Sequence, residues 1–309
     1  MMRRLAALWD GYWFAPASPL PLGICRALTC AWFFQVHVGR DFAGWGDVPP
    51  VFWMPTHAFA LLGLPLASEA TLEWLHAFWL LSLALGAIGL LTRGSTALAC
   101  VLGFYLTGLT HCFGKINHND TVVPLLLLVL AMSRCGDAFS VDAWLATRRA
   151  ARAGGKHERP ASGAYTWPIR AVWLLTGLVF FAAGLSKLRN GGLAWITSDN
   201  MRHILLKHHY PGFAPVSRIG LVLAEHAWIT KPMAAFGMGV ELLAPLGMVS
   251  RIARATVIPG LFAMLLAFWF THGFSPRPFY PLFAWFVPWD VLVAWLRARV
   301  TQTPHLASC

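Results

Sequence analysis

The chain has 309 residues, of which 57% are hydrophobic and only 12% charged, and its formal net charge is +11. Its mean hydropathy of +0.58, with 16 tryptophans, lies far above the range of soluble globular domains. Composition therefore excludes an ordinary soluble enzyme or binding domain and predicts a chain that lies largely within a lipid bilayer. An anionic membrane leaflet accounts for the positive charge, so we expect no nucleic-acid partner.

Apolar segments of nearly the length of a bilayer-crossing helix, which needs about 20 residues, recur along the chain. The stretch 51–66 is also apolar, but proline and glycine interrupt it, and we predict a re-entrant or interfacial element there. The remaining pattern predicts an all-α fold, a polytopic transmembrane helix bundle of about eight spans. The predicted spans are 20–38, 74–91, 95–111, 120–133, 167–187, 233–250, 255–271 and 279–296.

Basic residues are unevenly distributed among the loops, and short loops rich in Arg and Lys stay cytoplasmic. A cytoplasmic N-terminus places the basic loop 134–166 and the other short basic loops on that side, and makes both termini cytoplasmic. The stretch 188–232 is then an external amphipathic loop, whose own basic residues carry little weight because long loops are poorly governed by this rule. We predict one transmembrane domain over 1–296 and a short cytoplasmic tail over 297–309.

This orientation gathers polar side chains at helix ends on the outer face. The run VFFAAGLSK ends at Lys187, and the seventh span ends at His272. Lys187 is either an anchor whose ammonium reaches the interface, or a partly buried amine whose pKa falls toward that of a proton acceptor. His272 is either an interfacial residue or a ligand-binding one. The small residues of AAGLSK allow neighbouring helices to pack closely.

The loop THCFGKINHNDTVV contributes further polar residues to the same face. His118 is either an exposed loop residue beside the caps of the fourth span or the second candidate catalytic residue, lining an external cavity with Lys187. The candidate substrate-binding residues are His111, Lys115, Asn117 and His272.

One carboxylate, Glu241, lies well inside the sixth predicted span. A charged side chain there costs roughly 2.5–3.5 kcal/mol, so it should face the bundle and have a partner. By charge, Arg26 in the first span is the candidate partner, and the pair is either structural or functional. We predict no metal site, because the histidines around 203–209 lack the spacing of a ligand set.

Three motifs resemble the HTTM family, the membrane domain shared with vitamin K-dependent gamma-carboxylase. They are PLGICRALTCAWFF, NHNDTVVPLLLLVLAMSRCGDAFSVDAWL and FFAAGLSKL, and the resemblance spans roughly 15–295. Its most specific pieces are Ser140-Val141-Asp142 and the pattern that ends at Lys187 and Leu188.

The resemblance implies a site at which a lysine deprotonates a vitamin K hydroquinone, whose oxygenation creates the base for glutamate carboxylation. Lys187 matches that lysine and His118 a histidine of the family's loop, on the lumenal or external side. The chain ends soon after its last predicted span and Ser186 stands where the family has a second lysine, so we do not expect peptide-glutamate carboxylation.

The leading hypothesis is a multi-pass protein of the bacterial inner membrane with an outward-facing cavity for a quinone-like or hydroquinone-like lipid. The candidate activity is oxygen-dependent hydroquinone oxidation or a carboxylation, and the candidate cofactor is the quinone or hydroquinone itself. Expected partners are the lipid bilayer, that lipid, and a membrane or periplasmic protein. The alternative is a non-catalytic lipid-binding or partner subunit in which Lys187 is only an anchor.

Overall fold

A computed structural model describes residues 2–115, 118–209, 217–273 and 276–302, and these residues form an all-helical protein. No strand occurs in the described part of the chain, where Ala17 and Ser162 form an isolated antiparallel bridge. The helices are α1 (Met2–Trp13), α2 (Leu20–His37), α3 (His57–Leu61), α4 (Glu69–Ile88), α5 (Thr92–Leu109), α6 (Val122–Met132), α7 (Val141–Arg152), α8 (Thr166–Gly191), α9 (Ala194–Thr197), α10 (Asn200–Lys207), α11 (Ile219–Ala224), α12 (Ala227–Leu243), α13 (Leu246–Val249), α14 (Arg251–His272), α15 (Tyr280–Ala284) and α16 (Trp289–Gln302).

Within the described residues, four helices are long and apolar enough to cross a membrane. A fifth is added if the bent pair Arg277–Ala284 and Trp289–Arg299 forms one span. The four single helices overlap four of the predicted spans and the bent pair overlaps a fifth, so the all-α fold and the presence of apolar helices long enough to span a membrane are confirmed. The four single helices are Glu69–Ile88, Thr92–Cys112, Gly163–Gly191 and Arg251–His272.

The other three predicted spans are helical but shorter or more polar. Helix α6 has 11 residues, which is about 16 Å at 1.5 Å per residue and well short of a bilayer core. Helix α2 contains the buried Arg26, and α12 contains the buried Glu241. The eight-span count and the cytoplasmic termini remain predictions. The stretch 51–66 contains only short helical segments, as its interruptions indicate.

The chain divides into two compact units, the first comprising residues 1–169 and 287–309 and the second residues 170–286. In the first unit, α4 packs against α2 and α5, and α5 packs against α6. Trp79 of α4 is fully buried there, and its indole N–H donates to the Ala99 carbonyl at 3.0 Å. In the second unit, α12 and α10 pack against α14 and against each other.

The Ser140-Val141-Asp142 motif caps two helices of the first unit. The Ser140 hydroxyl accepts the Ala143 N–H at 2.9 Å and so begins α7. The Asp142 carboxylate accepts the N–H groups of Leu91 at 3.0 Å and Thr92 at 2.7 Å, and the Thr92 hydroxyl at 2.7 Å, at the start of α5. The motif thus joins the starts of α5 and α7.

Because of these hydrogen bonds, we expect the stability of the first unit to depend on pH. Partial burial alone raises the pKa of Asp142, but the hydrogen bonds from Thr92 and Leu91 outweigh it and hold the pKa below its usual value. A depressed carboxyl pKa stabilises the folded state above the unfolded pKa of about 3.9 and loses that contribution as pH falls through the folded value. We therefore expect Asp142→Asn to lower the melting temperature at pH 6, with the difference from wild type shrinking below pH about 4. A pH-independent difference would contradict this prediction.

Gly89 ends α4 in a conformation that other residues adopt with strain, with φ of +71°. A Cβ at this position would collide with the Arg26 guanidinium and the Ser140 side chain. We expect Gly89→Ala to destabilise the protein by about 2–4 kcal/mol, since backbone strain and overpacking add. Gly94→Ala is the matched control, because it lies in α5 with open space around its Cβ position. Thermal unfolding in detergent measures both, and equal melting temperatures would disprove the prediction.

Candidate functional site

The second unit brings α8 and α12 together at a glycine. A Cβ on Gly184 would lie 3.0 Å from the Glu241 Cβ and from the Leu242 backbone nitrogen, which is tighter than most Cβ contacts, so the glycine favours this close approach. The predicted role of the small residues in AAGLSK is therefore confirmed at Gly184. Lys187 follows one turn later on α8, and the close approach carries its side chain to Glu241.

Lys187 and Glu241 form an ion pair in which Nζ reaches both carboxylate oxygens. The Glu241 side chain is 4% exposed and the Lys187 side chain 24% exposed. The Lys187 ammonium also lies 5.8 Å from the centre of the Trp195 ring, within cation–π range. The pair supplies the partner that a buried carboxylate requires.

The predicted pairing of Glu241 with Arg26 is wrong, because Glu241 has Lys187 as its partner. Arg26 is fully buried in the first unit, where its Nη2 donates to the Phe139 carbonyl at 2.5 Å. Its Nε and Nη1 have no hydrogen-bond partner among the described residues. Matching Glu241 to a basic residue by charge alone therefore identified the wrong partner.

A cavity of about 520 Å³ opens beside the ion pair, between α10, α12 and α14. This volume lies within the range of small-molecule sites, about 300–1,000 Å³. Small residues on the facing helices leave the space, and thioether side chains, which adapt to irregular ligands, line much of it. The lining includes Lys187, Trp195, Met201, His208, Met233, Ala234, Gly237, Met238, Ala263, Met264, Ala267, Phe268, Thr271 and His272.

The polar lining of this cavity is concentrated at the end of α14. The Thr271 hydroxyl donates to the Ala267 carbonyl at 2.7 Å, so its oxygen is left to accept the Nδ1–H of His272 at 2.6 Å. That tautomer leaves a lone pair on His272 Nε2. The His208 and His272 rings pack edge to face with their centres 5.0 Å apart, and the Phe268 ring packs against His272 with a centre-to-centre distance of 5.1 Å. His272 is 6% exposed, so this predicted residue is a buried member of the site.

The other candidate residues belong to the first unit. His111 is buried at the end of α5, and Lys115 is exposed. Asn117 and the side chain of His118 lie outside the described residues, although the backbone of His118 begins a short 3₁₀ turn. The predicted proximity of His118 to Lys187 therefore stays a prediction.

A second apolar cavity, of about 920 Å³, lies in the first unit and includes His111 and Tyr105. The Tyr105 hydroxyl donates its proton to the Pro65 carbonyl at 2.8 Å, so that proton is not free to bond a ligand. We favour the cavity of the second unit as the ligand site because Lys187 of the ion pair and two histidines, His208 and His272, line it.

The sequence-based prediction contained only Lys187 and His272 of this lining, and the residues it missed include Trp195, His208 and Thr271. The spacing of α14 held one usable signal, because Ala263, Ala267 and Thr271 follow each other at four-residue intervals and therefore share a face. His208 and Trp195 reach the cavity through tertiary packing, for which the sequence offers no spacing rule.

No family model, curated protein or solved structure matches this chain. The resemblance to the HTTM family therefore rests on the three sequence motifs alone. The structure contributes independent information in the form of a cavity and its polar groups.

Proposed function

We propose that this chain is a multi-pass membrane protein that binds a quinone-like or hydroquinone-like lipid in the cavity between α12 and α14. The observation that carries the proposal is the arrangement of the cavity, which is apolar along most of its wall and bordered by Lys187, His208, Thr271 and His272. An apolar ring with polar oxygens at its edge fits such a site, because its carbon surface is buried while its oxygens meet donors and acceptors.

Both oxidation states of such a ring find partners in this site. The Lys187 ammonium is a donor suited to a carbonyl oxygen, and His272 Nε2 is an acceptor suited to a phenolic hydroxyl. Thr271 fixes the tautomer of His272 through Nδ1, which keeps the acceptor on the other ring nitrogen.

The ion pair bears on the role of Lys187. Lys187 Nζ is already held by both oxygens of the Glu241 carboxylate, so we propose that Lys187 binds and orients the ring without acting as its base. This favours the non-catalytic alternative, a lipid-binding subunit, over hydroquinone oxidation by oxygen or carboxylation. Membership of the HTTM family, the bacterial inner membrane and cytoplasmic termini belong to the same proposal, supported by the motifs and the basic loops.

Quinone binding to the purified protein tests the proposal. A short-chain ubiquinone analogue is titrated into the protein in detergent, with quenching of tryptophan fluorescence as the signal, since Trp195 lines the cavity. We expect saturable binding that His272→Ala weakens about tenfold, the effect of losing one good hydrogen bond with its ring contact. His57→Ala, an exposed histidine of the first unit, is the matched control. Equal affinity in the two variants, or no saturable binding by wild type, would refute the proposed site.

A further inference from the structure

We propose that a polar pocket in the first unit binds a phosphate group, that of an anionic phospholipid headgroup. The pocket has a volume of about 260 Å³ and lies where α5 and α7 begin. Arg93, Arg134 and Arg159 line it, with the carboxylates of Asp137 and Asp142. This site is separate from the quinone cavity, which is built from residues of the second unit.

The carboxylates do not neutralise the three guanidinium groups. The charge of Asp142 is directed at the start of α5, where it accepts three hydrogen bonds from Leu91 and Thr92. Asp137 is then shared between two arginines, at 2.9 Å from Arg134 Nε and 3.5 Å from Arg159 Nη2. Three positive groups therefore face two carboxylates, one of which is already engaged elsewhere.

Asp137 instead positions the arginines. It engages Arg134 through Nε and Arg159 through Nη2, so the remaining N–H groups of both guanidiniums stay available to a ligand. The Tyr165 hydroxyl donates a hydrogen bond to the same carboxylate at 2.8 Å and so helps to hold the Asp137 side chain in position. Arg93 forms no ion pair with a described carboxylate and is exposed. Paired N–H donors on several arginines are the arrangement that recognises phosphate oxygens.

The location of the pocket favours a lipid as the source of the phosphate. It lies at the first residue of α5 and just beyond the last residue of α6, which are two apolar helices. Leu91 and Met132 at these ends are each 70% exposed, and Trp144 on α7 is 50% exposed. Exposed apolar side chains and a tryptophan beside basic residues are typical of the headgroup region of a membrane.

Native mass spectrometry of the full-length protein in detergent tests this inference. Phosphatidylglycerol and phosphatidylcholine with the same acyl chains are added separately to wild type, Arg93→Gln and Arg159→Gln. We expect one phosphatidylglycerol molecule to be retained at least about tenfold more strongly than phosphatidylcholine, and each substitution to reduce that retention about tenfold. Arg251→Gln is the matched control, because it removes the same charge from an exposed position on α14. Arg93→Gln removes an exposed side chain that forms no described ion pair, so its fold is expected to be intact, and circular dichroism checks this.

A second arm identifies the source of the phosphate. Inorganic phosphate in large excess is compared with chloride at equal ionic strength, and we expect it not to displace the bound phosphatidylglycerol. Displacement by phosphate alone would overturn the lipid assignment and show that the pocket takes a soluble phosphate ligand. Equal retention of the two lipids, or retention that falls equally in Arg251→Gln, would overturn the site itself.

Discussion

Replacing Lys187 by methionine is expected to destabilise the protein by about 3 kcal/mol. The substitution leaves the Glu241 carboxylate, whose side chain is 4% exposed, without its partner. Removing one member of a buried pair typically costs about 3–5 kcal/mol, and the 24% exposure of Lys187 places this pair at the lower end. Unfolding by denaturant or heat in a fixed detergent gives the difference. Lys231→Met is the matched control, since Lys231 is an exposed lysine on α12.

The double variant Lys187→Met/Glu241→Met separates the ion pair from simple loss of packing. Because two apolar side chains of similar size fill the same space without a buried charge, we expect stability to return to within about 1 kcal/mol of wild type. A double variant as unstable as Lys187→Met would show that the single substitution acts through lost packing. Wild-type stability in Lys187→Met itself would mean that Glu241 is not held as a carboxylate by this lysine.

Filling the cavity from α14 is expected to abolish the proposed quinone binding while leaving the ion pair intact. Ala267 lines the cavity through a single methyl group, so Ala267→Phe places a ring in the ligand space. Loss of binding by at least about a hundredfold is expected, since the ligand and the ring cannot occupy the same volume. Ala255→Phe, an exposed position on the same helix, is the matched control.

The same fluorescence titration measures the affinity of both alanine variants. Retained binding in Ala267→Phe, with its melting temperature unchanged, would place the ligand elsewhere in the protein. Reduced binding in both variants would instead indicate a general effect on α14. The ion pair provides an internal check, because it joins Lys187 to Glu241 without involving Ala267. The Lys187→Met stability difference should therefore persist in the Ala267→Phe background.

Hydropathy predicts the fold class because lipid-facing helices must be apolar along their whole length. It located the helix that ends at Gly191 and the helix Arg251–His272 on that basis. It is less informative for α2 and α12, where Arg26 and Glu241 interrupt the apolar sequence and are accommodated by burial. The division of the chain into two units leaves no mark on the hydropathy pattern, because both units are equally apolar.

The site was predictable only in part. Lys187 and His272 stand out in the sequence because a charged or polar residue ends an apolar run, and both line the cavity. The partner of Glu241 was not predictable, since Lys187 lies 54 residues away in sequence and charge alone favours Arg26 equally well. Gly184 was the sequence feature that indicated this partner, because a helix with a glycine one turn before the lysine can pack closely against its neighbour.

The functional account joins these two elements. The ion pair keeps a donor at the wall of an apolar cavity, and Thr271 keeps an acceptor on His272 in the same wall. Neither group alone distinguishes a ligand site from a structural one, since buried ion pairs and buried histidines also occur in cores. Their convergence on one cavity is what favours a ligand with polar atoms at one edge.

Covalent labelling with a photoreactive azidoquinone tests the location of the ligand most directly. The purified protein is illuminated with the probe, digested and mapped by mass spectrometry, with and without an excess of unlabelled quinone. The account predicts labelled peptides from α12 and α14, among them those containing Met238, Met264 and His272, and loss of that label in the presence of competitor. Competed label on the first-unit cavity around Tyr105 and His111, or label that competitor leaves unchanged, would contradict it.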